Sequence, residues 1–343
     1  METLYRKYRP SKFSEIVGQD HIVAVLEASI KKGNISHAYL FSGSRGTGKT
    51  SIARIFAQEI NTHENDIYEM DAASQNSVDD IRALTDGVST MPFQSKHKVY
   101  ILDEVHMFSK QAWNALLKTL EEPPAHVIFI LATTELEKVP ETVVSRCQTF
   151  SFKKPSEKVL KEVINEAGKK EGKKLANDAL ELIALLGDGS YRDAYGILQK
   201  VITVSKDKEI SGEDVEKVTG APKHQIVNEV VLAISKGDSA KALEAINTAS
   251  KVGTDIKTFL KLLIYKMRAV LLLRFDSKAT QYLAERFSKE DLEILSEIAK
   301  DKQSKINAGS LLEILNSYSS IGRFIVPELP LELALMKILG EKE

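Results

Sequence analysis

The sequence of 343 residues predicts an α/β domain, a parallel sheet with flanking helices, followed by two helical domains. Three observations carry this reading. In the first half, short apolar or β-branched runs alternate with helical patterns. The runs are too uniformly apolar for a sheet with one wet face, so they suit buried parallel strands. After Phe150-Ser151-Phe152 the strand signals fade and helical patterns take over.

Taken in order, His37-Ala38-Tyr39-Leu40-Phe41 is the first such run and ends at Gly43, and the helical stretch Ser51 to Ile60 comes after it. Lys98-Val99-Tyr100-Ile101-Leu102 ends at Asp103, and Val127-Ile128-Phe129-Ile130-Leu131 ends at Ala132-Thr133-Thr134. In such a sheet, ligands collect at the carboxyl ends of the strands. Lys154-Pro155-Ser156 marks a boundary, because Pro155 opens a helix well, and Gly220-Ala221-Pro222 marks a second. The predicted domains are residues 1–154, 155–220 and 221–343.

Composition narrows the function classes. At 43% apolar and 28% charged residues, the chain excludes wholesale disorder, collagen and coiled coil. Its 47 Lys and Arg nearly cancel 48 Asp and Glu, so any nucleic-acid contact must come from a local patch. Cys147 stands alone, which excludes a disulfide framework and a four-Cys zinc site and suits a reducing cytoplasm. The first residues lack the apolar core of a signal peptide, and no segment offers about 18 consecutive apolar residues. A cytoplasmic protein without a membrane partner is expected.

Gly43-Ser44-Arg45-Gly46-Thr47-Gly48-Lys49-Thr50 matches G-x-x-x-x-G-K-[ST] between a strand and a helix that opens at Ser51. The glycines let backbone N–H groups curl around phosphates at the helix N-terminus, Lys49 supplies a charge to the β- and γ-phosphates, and Thr50 offers a hydroxyl to Mg²⁺. Asp103-Glu104 adds two carboxylates at a neighbouring strand end. Asp103 is placed to hold the metal through water, and Glu104 to polarise an attacking water. ATP and Mg²⁺ are the expected ligands.

With these motifs, Val105-His106, Ser145-Arg146-Cys147 and Gly189-Ser190-Tyr191-Arg192-Asp193-Ala194 make the chain resemble the AAA+ clamp-loader ATPases, most nearly the gamma/tau subunits of the bacterial replicative polymerase, DNA polymerase III. The likeness runs from Leu4-Tyr5-Arg6-Lys7-Tyr8-Arg9-Pro10 through Ala115–Pro124 into the C-terminal third. It implies an AAA+ nucleotide-binding domain, a small helical lid and an all-α collar. It also implies an ATP-hydrolysing motor subunit, counted with the polymerase holoenzyme, that opens a sliding clamp and places it on primed DNA. The implied partners are delta, delta-prime and further gamma/tau copies in a pentamer. The likeness assigns Thr134 as polar sensor with Thr133 as fallback, Arg192 as a second sensor from the lid, and Arg146 as a finger acting on a neighbour's ATP. Tyr8, Arg9 and Pro10, with Val17-Gly18-Gln19, resemble the adenine wall. Two rival readings stand beside this one: a structural subunit that binds nucleotide without turning it over, and another AAA+ DNA motor such as a branch-migration helicase. The aromatic-hydrophobic-Gly pore loop of unfoldases is absent.

The chain departs from the family in three places. Most relatives insert a four-Cys zinc module where this chain has Asn61-Thr62-His63-Glu64-Asn65, so no zinc is expected, and His63 beside Glu64 reads as a solvated turn. The segment after Ser74 is Gln75-Asn76-Ser77-Val78-Asp79-Asp80, without the basic residues usual there. Arg82 and Lys118 are then the best phosphate contacts, the helix N-terminus a further one, and DNA affinity is expected to be weaker. Lastly, Leu329–Lys337 resembles the close of the collar, as in a short gamma-like form or a trimmed tau. Trp113 and Cys147 are expected to pack.

Overall fold

Five strands build the core of the first half: β1 (Ala38–Ser42), β2 (Ile67–Asp71), β3 (Lys98–Asp103), β4 (Val127–Thr133) and β5 (Gln148–Ser151). All are parallel, in the order β2-β3-β4-β1-β5. They belong to a computed structural model that describes residues 2–340, apart from 252, 277, 284–286 and 288. Every residue of β1 and β4 is buried, as expected for strands covered on both faces.

Six helices accompany the strands: α1 (Leu4–Lys7), α2 (Asp20–Lys32), α3 (Lys49–Glu59), α4 (Val78–Val88), α5 (Lys110–Glu121) and α6 (Glu141–Val144). The two-residue alternation of the strands divides the core into two layers. Tyr39, Phe41, Val99, Ile101, Ile128 and Ile130 face α2 and α3, where Ile22, Leu26, Ile52 and Phe56 close the layer. Leu40, Tyr100, Leu102, Phe129 and Leu131 face α4 and α5, meeting Ile81, Trp113 and Leu116. Trp113 is core, its ring edge-on to Phe108 at 5.3 Å. Emptying such a site, for example by Phe56→Ala, costs about 3–5 kcal/mol. The apolar pattern therefore sets the layers, and the register Ser42↔Thr133 brings the ends of β1 and β4 side by side.

Helices dominate the rest: α7 (Glu157–Lys170), α8 (Asn177–Gly187), α9 (Tyr191–Val204), α10 (Gly212–Thr219), α11 (His224–Lys236), α12 (Ser239–Lys251), α13 (Ile256–Phe275), α14 (Ala279–Leu283), α15 (Lys289–Lys300), α16 (Ala308–Ser320) and α17 (Leu329–Leu339). One departure from the sequence expectation lies here. A two-stranded parallel ladder pairs β6 (Lys174–Leu175) with β7 (Glu209–Ile210), too short to leave an alternating signature. Gly220 closes α10 in the left-handed conformation, and Val230, Phe259, Leu263, Val270, Ile314 and Leu331 anchor the core of α11–α17. The chain forms two units, residues 1–160 with 187–196 and residues 161–186 with 197–343. Among the described residues no helix is long and apolar enough to cross a membrane.

Candidate active site

β1 delivers the chain to Gly43, and three glycines shape the loop that leads into α3. Gly43, Gly46 and Gly48 have φ of +147°, +73° and +102°, where side chains are strained. At Gly43 and Gly46 space forbids them too: a Cβ on Gly43 would lie 2.6 Å from the Phe152 carbonyl oxygen, and one on Gly46 would collide with Ser190 Oγ. Thr47 Oγ1 donates to the Ser44 carbonyl at 2.9 Å and ties the loop. Among the described residues, the backbone N–H groups of residues 44–51 meet no acceptor within the protein. Such a row of donors at the start of α3 is an anion nest, favoured further by the helix dipole.

Lys49 is 5% exposed. Its Nζ donates to the carbonyls of Gly43 at 2.7 Å and Ser44 at 3.1 Å. Burial lowers its pKa, the carboxylates of Glu104 and Asp103 oppose that, and Arg192 adds to it. Beside it, Thr50 Oγ1 donates to Asp103 Oδ2 at 2.7 Å. This hydroxyl–carboxylate pair is a set of hard oxygen donors suited to Mg²⁺, directly or through water. The nest, the buried ammonium and this pair fit a Mg²⁺–nucleotide. Among the described residues no group of three or more His, Cys, Asp or Glu is arranged to hold a metal.

Glu104 sits in the left-handed region at φ +51°, ψ +42°, a strain of about 1–3 kcal/mol for a non-glycine residue. Its N–H donates to Asp103 Oδ1 at 3.0 Å, and its Oε2 accepts from Thr134 Oγ1 at 3.1 Å. Thr134 thus meets Glu104, while Thr133 is fully buried and its Oγ1 accepts from the Glu135 N–H at 3.0 Å. His106, given no role from the sequence, joins these groups. Its Nδ1 lies 3.2 Å from Thr133 Oγ1 and 3.4 Å from Glu104, and its Nε2 lies 3.2 Å from Glu135. The only hint was its place two residues past the carboxylate.

Residues 187–196 complete the surroundings of the loop within the same unit. The Tyr191 N–H donates to the Gly46 carbonyl at 3.0 Å, and its hydroxyl to the Val17 carbonyl at 2.7 Å. Tyr8 stacks on Tyr195 at 5.9 Å, and Gln19 donates to the Lys153 carbonyl at 2.7 Å and to the Thr47 carbonyl at 3.4 Å. The Arg192 guanidinium lies over the Tyr5 ring at 5.6 Å. Arg9 has its pKa lowered by burial, then by Arg54 and Arg192. Pro10 is half-buried next to it.

Arg45 is exposed on the loop, and Ser51 is half-buried in the first turn of α3. Arg146 donates to Glu121 at 2.6 Å and to the Thr142 carbonyl at 2.6 Å, and it bonds none of the loop residues. Cys147 packs beside the α4–α5 layer, where burial pushes its thiol up to about 12, so no thiolate nucleophile forms near neutrality. Arg82 is exposed and 3.5 Å from Asp79, and Lys118 is exposed on α5. The start of α4 already carries a Ser77–Asp80 capping box, with Asp79 and Asp80 in the first turn, so acid stands where a phosphate was expected to dock. His63 Nδ1 accepts from the Asn65 N–H at 3.3 Å, a turn contact.

Comparison with known proteins now bears on this site. Residues 18–77 and 63–156 match the family model described as "DNA polymerase III, delta subunit". DNA polymerase III subunit tau of Bacillus subtilis is 40% identical over 294 residues, 80% of this chain and 52% of that protein. DNA polymerase III subunit gamma of Buchnera aphidicola is 34% identical over 335 residues, 92% of this chain and 91% of that protein. The chain spans about half the length of several such relatives, 52% and 41% in two of them. A solved Holliday junction branch migration motor, RuvB of Thermotoga maritima, shares the fold with a TM-score of 0.53 at 20% identity, covering 85% of this chain and 90% of that one. The sheet, the phosphate loop and that likeness make the first unit an AAA+ P-loop fold. With one relative matched over almost its whole length, the chain belongs to the DNA polymerase III gamma/tau subunit family.

Proposed function

We propose that the chain is an ATP-hydrolysing motor subunit of a clamp loader, which opens a sliding DNA clamp and places it on primer–template DNA in a pentamer with delta, delta-prime and further gamma/tau copies. In this reading residues 1–154 form the motor, 155–220 the lid and 221–343 the collar. The observation that supports it most is the cluster Lys49, Thr50–Asp103 and Glu104–Thr134 around one row of acceptor-less amides. When bound, Mg²⁺ would supply positive charge that offsets the negative charge developing during phosphoryl transfer. The amides of residues 44–51 and the Lys49 ammonium bind the phosphates, and Thr50 with Asp103 offers oxygens to the metal. Glu104 orients and polarises a water and accepts its proton, while Thr134 fixes the carboxylate that does so. Arg192 reaches the same phosphates from the start of α9.

Glu104→Gln keeps nucleotide binding and lowers hydrolysis about 10²–10⁴-fold, because an amide polarises water poorly. Parallel loss of both would make Glu104 structural. Arg146 acts in trans in this reading, released from Glu121 by a neighbour's phosphates, and such a finger contributes about 10³–10⁵ in rate. Arg146→Ala and Lys49→Ala subunits, each inactive alone, are mixed, and ATP turnover is measured with primed DNA and clamp. Partial recovery is expected, and none in verified mixed assemblies refutes action in trans. Stimulation by DNA and clamp together separates this reading from a subunit that only binds nucleotide, and from a helicase, which needs no clamp.

A further inference from the structure

The imidazole of His106 stands between two carboxylates, Glu104 past the end of β3 and Glu135 past the end of β4, and the proposed reaction gives it no part. It belongs to the short turn Val105–Met107 that follows Glu104, and its side chain is 8% exposed. We propose that His106 is a positioning residue for Glu104: a neutral ring that carries its hydrogen on Nε2 and turns a bare Nδ1 toward the Glu104 carboxylate, which therefore stays available to water. The proposal rests on the reading of Glu104 as the group that polarises that water.

Satisfying a buried hydroxyl places the ring's hydrogen. Thr133 is fully buried, and its Oγ1 already accepts the Glu135 N–H at 3.0 Å. Its own O–H therefore needs an acceptor inside the protein, and among the described residues the atom in reach is His106 Nδ1, 3.2 Å away. A nitrogen that accepts carries no hydrogen, so the neutral ring keeps its hydrogen on Nε2. That nitrogen faces Glu135 Oε1 at 3.2 Å. Lys138 Nζ lies 2.8 Å from Glu135 Oε2 and holds this carboxyl below the usual carboxylate range, so Glu135 is ionised and can only accept. Different partners on its two sides set both the tautomer and the plane of the ring.

The choice of nitrogen decides what Glu104 can do. Its Oε2 accepts from Thr134 Oγ1 at 3.1 Å and lies 3.4 Å from His106 Nδ1. With no hydrogen on Nδ1, that second approach sets one lone pair against another, so the ring bounds the carboxylate on this side without bonding it. Among the described residues Glu104 Oε1 has no hydrogen-bond partner in the protein, and it is the oxygen left for a water. A hydrogen on Nδ1 would do the opposite: the ring would donate to the carboxylate in a charge-assisted bond and compete with that water. The left-handed backbone of Glu104 restricts the side chain further, so backbone and ring together aim it.

The test uses the whole chain and variants that move the ring's hydrogen without touching the phosphate loop. Long-range proton–nitrogen NMR correlations of the nucleotide-free protein at neutral pH, with the ring assigned by its absence in His106→Ala, should show the hydrogen on Nε2. Glu135→Ala removes the partner of Nε2 and Thr133→Val the donor to Nδ1, and in each the hydrogen should pass to Nδ1, facing Glu104. Both variants should keep ATP affinity and KM within about twofold and lower kcat, measured with primed DNA and clamp, by about tenfold to a hundredfold, the cost of a misaimed group. The Glu135 side chain is 38% exposed, so folding is not at stake in its variants. Glu135→Gln, whose amide oxygen still accepts from Nε2, should restore the Nε2 signal and most of the rate. A hydrogen on Nδ1 in the wild type, alone or in a doubly protonated ring, overturns the proposal. So does wild-type kcat in Glu135→Ala, or slow turnover there with the hydrogen still on Nε2. Glu104→Gln run beside them separates the two failures: undiminished hydrolysis in Glu104→Gln removes the water-polarising reading, whereas a stalled Glu104→Gln beside an unimpaired Glu135→Ala removes the role of His106 alone.

Discussion

Two buried lysines, one in each unit, show opposite treatments of the same charge. Lys49 in the nucleotide unit is 5% exposed and Lys266 in the helical unit 3%. Lys49 Nζ is held by two backbone carbonyls, with Asp103 and Glu104 near but not bonded to it. Lys266 Nζ is bonded to Asp291 at 2.7 Å, Asn228 at 2.6 Å and His224 at 3.2 Å, and Asn228 and His224 bond Asp291 in turn. Burial lowers the pKa of both, but only Lys266 has a bonded carboxylate to answer it. A buried charge left partly answered points to a ligand, and one answered completely belongs to the architecture.

Removing each ammonium should separate the two cases. Lys266→Ala strands the Asp291 carboxylate in the core and should destabilise the helical unit by about 3–5 kcal/mol, read by denaturant unfolding. Lys266→Met with Asp291→Leu should recover most of that loss, because apolar packing replaces both charges. A double variant no more stable than the single one breaks the comparison. Lys49→Ala should leave thermal stability nearly unchanged and weaken ATP binding about 100-fold or more, since the phosphates lose their charged donor. Retained tight binding in a fluorescence titration would remove the phosphate loop from the site.

Acid sharpens the contrast. Burial pushes the Asp291 carboxyl up, but the His224 hydrogen bond and the Lys266 charge outweigh it and hold the group down at about 2. The folded value lies below the unfolded one, so its stabilisation is full above about pH 4 and is lost as the pH falls toward 2. That loss is on the order of 2 kcal/mol. Asp291→Asn should flatten the acid limb of stability in that window, followed by circular dichroism, and an unchanged limb would mean that other carboxylates govern it.

How much the sequence discloses depends on distance along the chain. The phosphate loop is eight consecutive residues, and its glycines, lysine and threonine need no distant partner to be recognised. The strand runs were legible because burial on both faces leaves continuous apolar stretches, and β4 begins at the expected Val127. The β6–β7 ladder was not, since two residues carry no period. The left-handed Glu104 and the His106 bridge depend on where β3 and β4 end, a result of register. Arg146 was legible as a triplet, but its resting partner Glu121 sits on another helix.

The smallest effect expected concerns DNA, and it tests whether exposed charge obeys the same rule. Arg82 and Lys118 are solvated, and Arg82 already has Asp79 at 3.5 Å. Such a pair contributes about 0–1 kcal/mol and is screened by salt, so neither residue signals a ligand by strain or burial. If they touch phosphates, replacing either by Ala should weaken binding to primed DNA without base preference and without changing stability. Each lost contact should also reduce the slope of log affinity against log salt by about 0.9 on duplex, because one fewer counterion is released. Asp79→Asn tests the same geometry from the other side: freeing Arg82 from its local acid should tighten binding slightly and steepen that slope. Slopes unchanged in all three variants would return both cations to ordinary solvated helix faces, and the search for the DNA track would move to the row of donors in Gln75-Asn76-Ser77.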